Sequence, residues 1–352
     1  MKPLNVAYIG LDLHATQSEF GVIDGHGQVQ QRHSLSTDPR LMNDWLGKLA
    51  AKHKFLTVEE GPLTQWISWQ LRGQVDELLV CDPKENFWIS RSAKKTDRID
   101  AVKLAKLLRM GELRQVWHPD QKNDRALFAA AGAHYLAMRR EQVRLKHKIK
   151  SMFRRWGVLN VAGQAMYSSD GRQAYLNQIT DELIYNQLCS YYTLLDHAVQ
   201  AHQQARKRLL ATGQALAGEY DEITEFQKIP GIGPIGANLF SALVQTPHRF
   251  DKVSQLWRWS GLGITDRSSN GKPLGYQRLD PNGRTDMKDI SYRAWKAGAR
   301  QTTEPNEVKR FYEKSLADSN TSTNARLNTQ RKILKVLWTI WRKHLRYNPD
   351  LF

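Results

Sequence analysis

The sequence predicts an α/β N-terminal domain, a helical or coiled-coil arm, and a mostly helical C-terminal domain, and three observations carry that reading. Short apolar runs alternate with helix-period stretches over residues 5–81, the pattern of a layered α/β structure. From about residue 122 the texture changes to long helical stretches in a basic context, interrupted near Val161 to Gly171. A third region opens near Tyr220 with a Gly-rich element, a polar turn, and a basic, aromatic helical end such as Lys332 to Arg346. The expected domains are 1–121, 122–220 and 221–352, and 352 residues suffice for two or three separate cores.

The run Asn5 to Asp12 reads as a buried strand. Phe20 to Ile23 and Val29 to Leu35 read as two more, with the turn Asp24-Gly25-His26-Gly27 between them, which makes a three-strand meander. A helix is expected around Leu41 to Ala51, a strand over Phe55 to Glu59, a helix near Trp66 to Leu71 and a strand over Glu77 to Cys81. Val102 to Leu108 carry a further helical pattern. In the arm, Leu136, Val143 and Ile149 are apolar positions of long helices. Thr302 to Glu307 and Ser315 to Asn324 read as loops.

Fifty-two Lys and Arg against 35 Asp and Glu give a formal net charge of +17, a field that attracts polyanions. Nucleic acid or an anionic membrane surface therefore heads the partner classes. No stretch nears the roughly 20 apolar residues of a membrane span, and Met1 to Ile9 lack the pattern of a signal peptide, so a cytoplasmic protein with no membrane partner is expected. Cys81 and Cys189 are too few for a zinc site or a disulfide framework and are expected as reduced thiols. Arg139, Arg140, Arg144, Lys146, Lys148, Lys150, Arg154 and Arg155 crowd one segment with the single acid Glu141. Such a run serves as a solvated helix face or as a contact to a nucleic-acid backbone; the whole-chain charge favours the second.

Four carboxylates stand out. Asp12 closes the first strand and Glu59 the fourth, where an α/β sheet holds ligands at its carboxyl edge. Asp97 and Asp100 precede the Val102 helix at i, i+3 spacing, which puts both on one helix face. Each has an ordinary structural use, a polar strand end or a helix cap. Together they supply the hard anionic oxygens that a two-metal phosphodiester site requires.

In this order and spacing, Tyr8-Ile9-Gly10-Leu11-Asp12, Val58-Glu59-Glu60-Gly61-Pro62 and Lys95-Thr96-Asp97-Arg98-Ile99-Asp100-Ala101 resemble the DEDD transposases of bacterial insertion sequences, a family that includes the Piv/MooV-type DNA invertases. The resemblance implies an N-terminal domain similar to RuvC resolvases, of RNase H-like fold, with Asp12, Glu59, Asp97 and Asp100 as ligands of Mg²⁺, for which Mn²⁺ is equally suited. Glu60 stands where the family has a small residue, which leaves two adjacent acids as candidates for one ligand position. Ile229-Pro230-Gly231-Ile232-Gly233-Pro234 looks like a helix-hairpin-helix turn, in which Gly231 and Gly233 would let backbone N–H groups approach a phosphate.

Trp259-Ser260-Gly261-Leu262, continuing to Ser268-Ser269-Asn270-Gly271-Lys272, resembles the family segment that carries a nucleophilic serine. Counting from Gly261, Ser269 takes that position, Ser268 precedes it, and Lys272 follows as a nucleic-acid-binding cation. Gly263-Ile264 replaces a common Val-Pro, and Asn270 a common Gly. The family implies a covalent phosphoserine intermediate on double-stranded donor and target DNA, and a composite site shared between protomers of a dimer or tetramer built through the arm. It also implies, for many members, a noncoding (bridge) guide RNA encoded by the element. An invertase without guide RNA would carry much the same motifs, and a RuvC-like endonuclease would use water in place of the serine.

Overall fold

The computed structural model describes residues 4–83, 97–218, 221–269, 272–319 and 321–352; the side chains of 97–99, 265–269 and 272–277 lie outside the described part. The chain divides into two units, Met1–Asn123 and Asp124–Phe352.

In the first unit, β1 (Leu4–Asp12), β2 (Gln17–Asp24) and β3 (Val29–Ser36) form the expected antiparallel meander. β4 (Ala51–Glu59) and β5 (Glu77–Cys81) add in parallel, giving the order β3-β2-β1-β4-β5. Helices α1 (Pro39–Lys48), α2 (Thr64–Leu71) and α3 (Asp97–Met110) complete the unit, which is consistent with a RuvC-like domain. β4 begins earlier than its apolar run because Leu4 and Val6 pair with Ala51 and His53, so the ladder extends through residues with no apolar signal.

Both sheet faces are covered, and strand alternation decides what each receives. Ala7, Ile9 and Leu11 pack in one cluster with Leu56, Val58, Met42, Leu46 and Ile67. The other face of β1 carries Tyr8, packed with Val102 and Ala105 of α3. Gly10 and Gly21 let that helix sit against the strands. A Cβ on Gly10 would stand 2.0 Å from the Ala101 carbonyl oxygen, and one on Gly21 2.6 Å from the Val102 nitrogen. Both obstacles are backbone, so no rotamer change relieves them. Gly10→Ala is therefore expected to lower unfolding stability by about 3 kcal/mol or more, read from the urea midpoint. Gly25→Ala, where an added carbon meets nothing within 4 Å, should leave the midpoint in place.

The second unit is built on a long antiparallel hairpin of α4 (Asp124–Arg155) and α6 (Glu182–Ala215), each about 50 Å long at 1.5 Å per residue. Tyr135 meets His202 with ring centroids 5.0 Å apart, and Phe153 meets Tyr192 at 6.4 Å. Around the short α5 (Arg172–Leu176) the hairpin's far end has its own core, in which Leu145, Ile149 and Phe153 pack with Val158, Met166 and Leu188. At its base Phe128, Leu136, Ala205 and Leu209 share one core with the C-terminal helices. These are α7 (Glu222–Gln227), α8 (Pro234–Val244), α9 (Val253–Trp259), α10 (Thr285–Trp295), α11 (Glu307–Asp318) and α12 (Ser322–Lys343). Among the described residues no helix is long and apolar enough to cross a membrane.

Two sequence expectations are corrected here. Ser315 to Asn324 is not a loop: α11 runs to Asp318 and α12 starts at Ser322. Its polar residues act as caps and contacts, with the Thr321 hydroxyl accepting from the Asn324 N–H and Asn328 donating to the buried Ser315 Oγ at 3.3 Å. The segment read as a polar turn is an antiparallel pair, β6 (Ile264–Ser269) and β7 (Lys272–Leu279). Asn270-Gly271 between two β-compatible stretches was the available hairpin signal.

Candidate active site

The carboxylates are placed by the parallel pairing of β1 with β4. Leu11 pairs with Val58, so Asp12 and Glu59, one residue further on, stand beside each other at the carboxyl ends of neighbouring strands. Asp12 follows Gly10 by two positions and shares the face of the sheet on which α3 lies. Glu59 pairs with Cys81, and Cys81 packs with Leu104 and Leu107 of α3, which assigns Glu59 to the same face. Asp100 lies in the first turn of α3 at 6% exposure, next to the Ala101 carbonyl that abuts Gly10. The backbone of Asp97 starts this helix, one turn before Asp100; its side chain falls outside the described part.

Polar groups lie close to these acids. An Asp12 carboxylate oxygen is 3.4 Å from His14 Nε2. Asp100 Oδ1 accepts from Lys103 Nζ at 3.3 Å. Glu60 has left the strand: its backbone N–H donates to the Cys81 carbonyl, its side chain is exposed, and its Oε1 is 3.6 Å from His118 Nε2. Of the two adjacent acids, Glu59 is the one that shares a strand end and a face with Asp12. Among the described residues no three His, Cys, Asp or Glu side chains form a group able to hold a metal ion. The donor chemistry on this face is carboxylate oxygen, the type that hard divalent cations take. Sequence reasoning missed Gly10 and Gly21, which set the approach of α3 and hence the position of Asp100; glycine inside a strand was the signal.

The other candidates lie in the second unit. Gly231 has φ +88°, and its open side is filled by protein, since a Cβ there would stand 2.1 Å from the Ala294 carbonyl oxygen. Gly233 precedes Pro234 at the start of α8 and is exposed, with nothing within 4 Å of an added carbon. Ser269 ends β6 paired with Lys272, and Ser268 pairs with Pro273; the side chains of Ser268, Ser269 and Lys272 are outside the described part. The base of this hairpin is fixed. The Asp280 N–H donates to the Gly263 carbonyl, Arg258 Nε donates to the buried Asp280 carboxylate at 2.9 Å, and Gly283 sits against the Gly261 backbone.

The basic run of α4 is not uniform. Arg139 and Arg140 pair with Asp289 and Asp286 of α10 at 2.9 and 2.6 Å. Burial raises the Asp289 pKa, but hydrogen bonds from Arg293 and Arg139 outweigh it and hold this carboxyl below its ordinary value. Arg144 pairs with Glu141. Lys146 and Lys148 lie over the rings of Tyr167 and Tyr191, each 4.9 Å from the centroid. Lys150 is partly buried, whereas Arg154 and Arg155 are exposed at the end of the helix.

Comparison with known proteins bears on both units. Residues 9–156, which include all four carboxylates, match a DEDD family model of the IS110 type described as "Transposase". The class is thus that of DEDD transposases. Residues 223–313, which include Gly231, Gly233, Ser269 and Lys272, match the model described as "Transposase IS116/IS110/IS902 family". The chain belongs to the IS110 family of transposases. It is also 28% identical over 122 residues to a protein of Sinorhizobium fredii (strain NBRC 101917 / NGR234) named "Putative transposase y4qE", across 34% of this chain and 31% of that protein. The chain thus spans about a third of that relative's length.

Proposed function

We propose that this protein is the transposase of an insertion sequence, a recombinase that cuts and rejoins double-stranded DNA through a covalent serine intermediate. The observation that carries the reading is the meeting of Asp12 and Glu59 at neighbouring strand ends, on the face against which α3 packs with Asp100. In this reading residues 1–121 supply the carboxylates, 122–220 the arm and 221–352 the serine. Asp12, Glu59, Asp97 and Asp100 hold the divalent cation, Mg²⁺ or Mn²⁺. Bound there, it would stabilise charge on the scissile phosphate and favour ionisation of the attacking hydroxyl.

Ser269 Oγ attacks the phosphorus, its proton leaving to solvent. As the Oγ–P bond forms, the P–O3′ bond breaks and the departing oxygen takes up a proton, leaving a 3′-OH. Attack on the phosphoserine by the 3′-OH of a partner strand reverses these steps, rejoins DNA and frees the serine without an external energy source. Lys272, across the β6–β7 ladder from Ser269, supplies a cation for the phosphate. Gly233 at the start of α8, together with Lys150, Arg154 and Arg155, provides N–H groups and charge for the nucleic-acid backbone. Two or four copies associate through the arm, and a guide RNA from the element reads sequence by base pairing while the protein reads backbone and shape.

The guide is tested by purifying the protein from cells that carry its native flanking DNA and sequencing the RNA that comes with it. The expected result is one RNA species mapping to the flanks, with strand exchange lost after nuclease treatment. Exchange unchanged by complete RNA removal would reject the guide and leave a recombinase that reads its sites directly. The matched models and the relative are described as transposases, which supports transposition over inversion.

A further inference from the structure

Between α11 and α12, bordered by Trp257 of α9 and by residues 349–352, lies a groove of about 920 Å³. Its size is that of sites that hold a small ligand, roughly 300–1,000 Å³. Arg310, Lys314, Arg331, Lys332 and Lys335 line it against three acids, Glu307, Asp318 and Asp350. Glu307 is already engaged, accepting from the Tyr347 hydroxyl. The groove therefore carries a surplus of positive charge and has one of its acids committed elsewhere.

The other component is aromatic. Trp257, Phe311 and Phe352 face the same space, and Lys332 Nζ lies 5.6 and 5.9 Å from the centroids of Phe311 and Phe352. Burial and the neighbouring Lys335 push the Lys332 pKa below its ordinary value, so an anion entering the groove would restore what the ammonium lost on leaving water. Flat ring faces interleaved with cations are what an unpaired nucleotide needs: the base stacks and the phosphate is neutralised. A duplex, whose bases stack on one another, cannot use the rings.

We propose that this groove binds an unpaired stretch of nucleic acid, through residues other than the serine and the carboxylates. The inference leans on the recombinase reading only for which strand, displaced DNA or guide RNA, supplies the nucleotides. The groove is also joined to the segment that leads into β6. Arg331 Nε donates to the Leu262 carbonyl at 2.8 Å, and Trp257 Nε1 donates to the Arg331 carbonyl at 3.0 Å. A strand held here is anchored on the same framework as the hairpin that carries Ser269.

The test uses full-length protein carrying Asp12→Asn and no divalent metal, so binding is read whether or not the chemistry holds. Fluorescence anisotropy follows a labelled 12-nucleotide single strand, as DNA and as RNA, and the duplex of the same sequence. Lys314→Glu with Lys335→Glu, both at exposed positions, should weaken single-strand binding tenfold or more and reduce its salt slope. Duplex binding should change less than threefold. Phe352→Ala, which removes a ring and no charge, should weaken single-strand binding about fivefold or more with the salt slope unchanged. The larger loss, in the DNA or the RNA arm, identifies the source of the strand. Equal losses for single strand and duplex, no loss at all, or binding of a polyglutamate peptide with unchanged oligonucleotide affinity would each overturn the proposal, circular dichroism having confirmed the fold of both variants.

Discussion

Asp12→Asn is expected to abolish strand cutting, with product formation on a plasmid carrying the element ends falling by about 10²–10³-fold, roughly 3–4 kcal/mol of lost transition-state stabilisation. The substitution keeps the shape of the side chain and removes its charge. Asp12 is outside the apolar cores, its side chain is 23% exposed, and its neighbour is the exposed His14, so the urea midpoint should stay near that of the parent. Glu59→Gln should act as strongly, whereas Glu60→Gln, on the exposed residue beside His118, should cost less than about threefold. Asp100→Asn should combine a loss of activity with a measurable loss of stability, because it is buried in the first turn of the helix that Gly10 admits. Full activity in Asp12→Asn would take this carboxylate, and the metal site proposed around it, out of the chemistry.

How much of this was legible before the structure depends on the range of the interactions involved. β5 was read to the residue, because Glu77 to Cys81 is a short apolar run between polar flanks, and the meander was read because its turn residues punctuate it. The four carboxylates were legible as residues. That they would share one site was an expectation; what the structure adds is the register that sets Asp12 beside Glu59 and the helix pressed onto two glycines, which puts Asp100 on the same face. β6 and β7 escaped because Thr265 to Ser269 is polar and Pro273 and Gly275 interrupt the stretch after Lys272, so no apolar period marks the strands and the Asn270-Gly271 signal stood alone. The basic run on α4 read as one feature, yet Arg139 and Arg140 meet acids 150 and 146 residues away, a division of labour that no local pattern records. The groove draws on Trp257, α11, α12 and residues 349–352; its charges were visible in the sequence, but their meeting with the rings was not.

Ser269→Ala separates the covalent mechanism from hydrolysis. The expected outcome is loss of the protein–DNA adduct, followed as labelled DNA migrating with the protein under denaturing conditions, and a fall in strand transfer of about 10³-fold or more, as for removal of an essential nucleophile. Binding of the same DNA should change less than threefold. A backbone already held by the ladder to Lys272 and by the fixed hairpin base gives little reason for the fold to respond to one lost hydroxyl. Ser269 is the residue at the nucleophile's position in the family segment, so Ser268→Ala should retain most of the adduct. Reversal of those two results would move the nucleophile by one residue and leave the mechanism standing. Cleavage that persists in both alanine variants, with water incorporated into the product phosphate and no adduct at any time, would instead mean that the carboxylates act alone, as in a hydrolytic nuclease.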